Sequence, residues 1–249
     1  RFSEFVERFE REVKPQKGSP LDSLFITYGP VVYRPEDIAI SYEEALHLLK
    51  MRFYCDPDQH TFGYHQLQQQ AGSLFIPDSA TLDEYKNKLT DYIQTLNRSM
   101  IAETLDRLRE EIYLSSVPIE DVRLFFIDLY LQVKEAICYR YHTLDIPFPP
   151  NSWVVDFIHT RYYLYEIITF ISEQAEMILS SLGTTSREST LENVLRYIKD
   201  NYMNNLKLER IAPLFGYNSS YLGKLFTQKM GMNFTAYLDL IRIEASKEL

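Results

Sequence analysis

The side chains best suited to chemistry are five histidines, at positions 47, 60, 65, 142 and 159, two cysteines, Cys55 and Cys138, and the carboxylate pair Glu110–Glu111. Residues that share a metal must converge, and the spacing of these does not bring them together. His60 and His65 lie five apart, no H-E-x-x-H occurs, and neither cysteine belongs to a C-x-x-C pair. Glu110 and Glu111 are neighbours on a predicted helix and point roughly 100° apart, so they do not face one substrate atom. No G-x-S-x-G, no phosphate-cradling Walker loop and no G-x-G-x-x-G is present. The residues predict no catalytic site, no metal and no cofactor.

A constellation of another kind stands near the end of the chain. Ile211 and Ala212 are followed by Gly216, then by Asn218, Ser219 and Ser220, then by Leu222 and Leu225. This spacing predicts two short helices joined by a tight turn. Small Ala212 lets them cross closely, Gly216 supplies the left-handed backbone of the turn, and Asn218, Ser219 or Ser220 caps the second helix. Such a unit can place its second helix in the major groove of DNA. The spacing alone also suits two packed helices of any all-helical domain.

The rest of the chain must position this unit. Its 249 residues suffice for two domains, each with a core, and aromatics at 14% supply core material. Eight glycines argue against a loop-rich, nucleotide-cradling protein. The net charge is -9, but residues 191–249 hold eight Lys and Arg against six Asp and Glu, which is +2 and leaves -11 for the body. A mildly basic tail on an acidic body fits a nucleic-acid reader with a separate regulatory part. Cysteine usage predicts a reducing cytoplasm, and the longest apolar runs, such as 124–131 with Asp128 inside it, are too short to span a membrane. The chain opens on Arg1 without a signal peptide or Met and reads as a piece of something longer.

Taken in order, Phe2, Phe5, Val6 and Phe9 predict a helix over 1–13. Leu24–Tyr28 predicts a strand ending at Gly29-Pro30, Ser41 with Glu44 predicts a capping box, and His60–Tyr64 predicts a second strand. One long helix is expected from Leu82 to about Ser115, since the apolar stripe from Leu82 to Ile112 continues at threes and fours. A further helix opens at Pro118 and is closed by Pro147, Pro149 and Pro150. Ser152–Leu182 reads as two helices whose aromatics, among them Trp153 and Tyr162, are core and rim, with a ligand pocket between helices as the alternative. Gly, Ser and Thr mark 182–190 as a linker, after which come the helix from Leu191 to Tyr202, the two-helix unit and a long helix capped by Asn233.

Two stretches resemble known families. The first, through Ser41-Tyr42-Glu43-Glu44-Ala45 and Arg52-Phe53-Tyr54, resembles the end of the degenerate GGDEF-like domain of YesN-type regulators. No GGDEF run itself occurs, so the resemblance implies a signalling remnant rather than a cyclase. The second covers 191–249. Y-I-x-x-N-Y at Tyr197–Tyr202, L-x-x-I-A at Leu208–Ala212, G-Y-x-x-S-Y-L at Gly216–Leu222, Leu225-Phe226, G-x-x-F-x-x-Y-L at Gly231–Leu238 and the run from Arg242 to Ala245 resemble the first half of an AraC-family DNA-binding domain. That family has a second helix-turn-helix, and this chain stops at Leu249 inside the connector to it.

The implied fold is mainly α: a small α/β remnant over 1–76, a helical regulatory and dimerisation region over 77–182, a linker over 183–190, and an AraC-type helix-turn-helix half-domain over 191–249. The implied function is that of a cytoplasmic, sequence-specific transcription regulator, an activator and the output part of a two-component response regulator. Its partners would be double-stranded promoter DNA, a second copy of the chain in a homodimer, RNA polymerase and an upstream sensor histidine kinase. A helical ligand- or nucleotide-sensing module with a non-DNA output is the alternative. The DNA-reading residues implied by the resemblance are Asn218, Ser219, Ser220, Gly223, Lys224, Thr227 and Gln228, with Lys229 and Arg242 adding backbone charge. Tyr221, Leu222, Leu225 and Phe226 are expected in the core. Pro213 inside the first helix and Gly223 on the reading face depart from the pattern and predict weakened readout.

Overall fold

The computed structural model describes residues 24–56, 59–64, 75–115, 117–142, 144–183 and 190–247, together with Glu4. Apart from Glu4, the predicted helix over 1–13 lies outside the described residues, as does the linker core at 184–189. The fold is mainly helical. Two short strands, β1 (Ile26–Tyr28) and β2 (Thr61–Gly63), accompany ten α-helices among the described residues. These are α1 (Ile38–Leu48), α2 (Ser79–Gln94), α3 (Arg98–Tyr113), α4 (Ile119–Arg140), α5 (Asn151–Thr160), α6 (Leu164–Gly183), α7 (Thr190–Asn201), α8 (Leu208–Leu214), α9 (Ser219–Met230) and α10 (Phe234–Lys247). No helix among the described residues is long and apolar enough to cross a membrane.

The chain forms two compact units, each built from separate stretches. The first takes residues 1–77, 107–127 and 152–170. In it β1 and β2 pair in parallel, with Ile26 opposite Thr61 and Tyr28 opposite Gly63. Parallel strands need a crossover, and α1 supplies it. Thr27 Oγ1 donates to Ala45 O at 2.6 Å, which fastens helix to strand. Gly29 is required by space: a Cβ there would stand 2.0 Å from Ser41 O. Leu48, Cys55, Phe62 and Tyr163 form the buried cluster beneath. The Cys55 thiol donates to Met51 O at 3.3 Å and is pushed up to about 12 by burial and by Asp56, so it is an inert core group.

The expected capping box is not formed. A 3₁₀ turn at Pro35–Asp37 leads into α1, so Ser41 lies inside the helix and its hydroxyl donates to Pro30 O at 2.8 Å. The fixed φ of Pro35 starts the helical backbone earlier than the Ser–Glu pair suggests.

The second unit takes residues 78–106, 128–151 and 171–249. Here the long helix expected over 82–115 is broken. Leu96 adopts φ 53, between α2 and α3. The apolar stripe runs on across the break, but the side chains at the junction favour a stop. The Thr95 hydroxyl donates to Asp91 O and Tyr92 O, and Asn97 Oδ1 accepts from Met100 N as the cap of α3.

The tail folds on its own cluster. Val194 and Ile198 of α7, Ile211 and Ala212 of α8, Leu222 and Phe226 of α9, and Phe234, Tyr237, Leu238 and Ile241 of α10 are buried together. Polar bonds tie this cluster to α2 and α4 within the same unit. Tyr197 OH donates to Asp91 Oδ1 at 3.2 Å, Arg140 Nη2 to Asn201 Oδ1 at 3.0 Å, Asn201 Nδ2 to Gln94 Oε1 at 3.4 Å, and Asn97 Nδ2 to Leu214 O at 2.8 Å.

Candidate nucleic-acid interface

The site is made by the short turn between α8 and α9. Phe215 N and Tyr217 N both donate to Ala212 O, at 3.2 and 2.9 Å, and Gly216 N donates to Pro213 O at 3.1 Å. The chain closes this way only because Gly216 takes φ 72, where a Cβ would be strained although it would meet no neighbour. Asn218 is then the N-cap of α9: its Oδ1 accepts from Tyr221 N at 2.7 Å. Gly231 at φ 70 ends α9, and Asn233 Oδ1 caps α10 by accepting from Ala236 N at 2.8 Å.

Which face of α9 looks outward follows from the inner one. Leu222 and Phe226 are fully buried, and the Phe226 ring meets those of Tyr237 and Phe234 edge-on at 5.3 and 6.0 Å. The opposite face carries Ser219, Ser220, Gly223, Lys224, Thr227 and Gln228. With Leu208 and Glu209 of α8 these line an open cleft of about 760 Å³. Asn218 stands exposed at its start, in the cap rather than in the cleft. All seven sequence-predicted residues are thus gathered at one end and one face of α9. Ser220, Lys224 and Gln228 keep their donors and acceptors open to a ligand, with no hydrogen bond or ion pair to the described residues. The Thr227 hydroxyl donates to Gly223 O at 3.0 Å, and the residue is exposed.

Several expectations change at this site. Tyr221 is half-exposed, its ring tilted against Tyr217 at 5.2 Å, because the capping turn rotates it away from the inner face. Leu225 is only partly buried. At Gly223 a Cβ would meet Leu208 Cδ2 at 3.0 Å, so a side chain there would require the Leu208 side chain to shift by a few tenths of an ångström. Pro213 sits in the last turn of a seven-residue helix, is exposed, and leaves the turn bonds intact. Arg242 is a positioning group rather than a free backbone charge. Its Nε donates to Tyr202 O at 3.0 Å and its Nη2 to Asn204 O at 3.1 Å, just past the end of α7.

Glu209 is the cleft residue that sequence reasoning missed. As an acidic residue in the first turn of α8 it reads as a helix-dipole partner. Only the folded crossing shows that it also lines the cleft on the outward face of α9.

Residues 198–239 match the family model of bacterial regulatory helix-turn-helix proteins, AraC family. The segment is an AraC-type helix-turn-helix. The matched range runs from the end of α7 through α8 and α9 into α10, and so contains the whole cleft. A 77-residue stretch is also 30% identical to the regulatory protein PocR of Salmonella typhimurium, covering 31% of this chain and 25% of PocR. The match therefore spans about a quarter of that relative's length. No solved structure matches the chain.

Proposed function

We propose that this protein is a sequence-specific transcription regulator that reads double-stranded promoter DNA with α9. The observation that carries this reading is the gathering of Ser219, Ser220, Lys224, Thr227 and Gln228 on the outward face of the second helix of an AraC-type helix-turn-helix. In the major groove each group has a defined partner. Lys224 donates to guanine O6 and N7, the Gln228 amide pairs with the adenine edge, and the Thr227 methyl meets thymine methyls. Ser219, Ser220 and the first N–H groups of α9 suit phosphate oxygens, as does the Asn218 amide NH₂, which the cap leaves unused. Glu209 repels phosphate and disfavours binding out of register.

The finer reading rests on sequence resemblance. The β1–α1–β2 region is the end of a GGDEF-like domain, the helices over 77–182 form the regulatory and dimerising part, and 191–249 is the DNA-reading half. The protein acts in the cytoplasm as the output of a two-component response regulator, as a homodimeric activator that contacts RNA polymerase and answers to a sensor histidine kinase. A coding sequence upstream of Arg1 without a phosphorylatable receiver would remove the two-component part and leave DNA reading untouched.

The experiment is a gel-retardation titration against the promoter region of the protein's own operon, with random duplex as competitor at fixed salt. Selective retention at least tenfold above random DNA is expected. Equal affinity for both sequences would overturn specific readout.

A further inference from the structure

Outside the helix-turn-helix, the first unit carries a second cleft of about 650 Å³, within the range of small-molecule sites. It lies where the 3₁₀ continuation of α1, Leu49–Tyr54, faces the start of α4. Its wall holds three permanent cations, Lys50, Arg52 and Arg123, with His47 beside them, and one carboxylate, Glu120. That is an excess of two positive charges in a chain of net charge -9.

Two of these cations are held in place. The Arg52 guanidinium lies over the Tyr163 and Tyr162 rings, 4.5 and 4.6 Å from their centroids. Arg123 is fixed by Glu120 at 2.7 Å and by Arg161 O at 2.8 Å, with its guanidinium 5.5 Å from the Phe53 centroid. Lys50 is exposed and makes no hydrogen bond or ion pair with the described residues. Tyr162, two-thirds exposed, offers the other face of its ring. The backbone also contributes, because α4 begins here and the first N–H groups of a 22-residue helix favour an anion, a role its own Glu120 and Asp121 in the first turn fill only in part.

We propose that this cleft binds a phosphate monoester carried on a planar ring, of nucleoside-monophosphate size. The dianion seats between Lys50 and the start of α4, with Arg123, paired to Glu120, at its edge. The ring stacks on Tyr162, whose far side is already backed by Arg52. The site shares no residue with the α8–α9 cleft, so it would serve as an input separate from DNA reading.

The test is isothermal titration of the whole chain with AMP, adenosine and inorganic phosphate. AMP is expected to saturate below about 1 mM, with adenosine and phosphate each at least about tenfold weaker, because each carries half of the recognised chemistry. Lys50→Ala is a surface change and Tyr162→Ala leaves Arg52 on the Tyr163 ring, so both are expected to weaken AMP about tenfold while the melting curve is retained. No saturation by AMP, equal binding by adenosine, or AMP binding unchanged in both variants would overturn the proposal. None of these outcomes bears on retardation of promoter DNA, which reports on α9 alone.

Discussion

The tail carries two sets of polar side chains that differ in what surrounds them. On α9, Ser220, Lys224 and Gln228 face solvent and make no hydrogen bond or ion pair with the described residues. On α7, Tyr197 and Asn201 are buried, and their polar atoms are engaged with Asp91, Arg140 and Gln94. A group still hydrated in the free protein can exchange water for a ligand at little cost. A desolvated group must keep its partner, since a buried donor or acceptor left alone costs about 1–3 kcal/mol. The outer set is therefore available for recognition, and the inner set fixes where the helix-turn-helix stands in its unit.

Changes in the inner set should appear as stability, and changes in the outer set as affinity. The largest expected loss is from Asn201→Ala. Asn201 accepts from Arg140, donates to the Tyr197 carbonyl at 2.9 Å and reaches Gln94, whose Nε2 already has no hydrogen-bond partner. Removing it should cost about 1–3 kcal/mol in urea unfolding. A change below about 0.5 kcal/mol would break the distinction.

Asn218→Ala belongs to both sets, because the cap shapes the start of the outward face of α9. It should cost about 1 kcal/mol of stability and also weaken DNA binding, read by thermal melting and retardation on the same preparation. Loss of affinity without loss of stability would mean that its amide, not its cap, matters.

Asp91 gives the smallest and most specific effect. Burial raises its pKa above the usual carboxylate value, and the hydrogen bond from Tyr197 with the charge of Arg140 only partly offsets this. A raised folded pKa means that the folded state binds the proton more tightly. This contribution is fully present below the unfolded value of about 3.9 and is lost as pH rises through the folded value. Asp91→Asn should remove it, so the difference in melting temperature between variant and parent should change as pH rises from about 3.9 through the folded value. A difference that stays constant across that window would contradict the assignment.

Local chemistry made the helix-turn-helix legible in the sequence. Gly216, Asn218, Gly231 and Asn233 each do in the fold the one job their residue type suits, and each acts within a few residues. The outward face of α9 followed from the same register. What stayed hidden depends on contacts made at long range or on competition between signals. The apolar stripe through 82–112 outvoted Thr95 and Asn97 in the sequence, and the fold obeyed the two capping side chains instead. Arg242 looked like a DNA-facing charge because only the folded tail brings it to the carbonyls of Tyr202 and Asn204. The contact of Gly223 with Leu208, fifteen residues away, is another that only the fold brings about.

The most direct test of the outer set is Lys224→Ala, measured by DNA retardation across a salt series with urea unfolding of the same samples. Promoter affinity should fall about tenfold, on the order of 1–3 kcal/mol if Lys224 reads a base, or with a salt slope shallower by about one if it meets phosphate. The unfolding midpoint should not move. Unchanged affinity and salt slope, or a destabilised fold, would contradict the account of α9 as the solvated reading face.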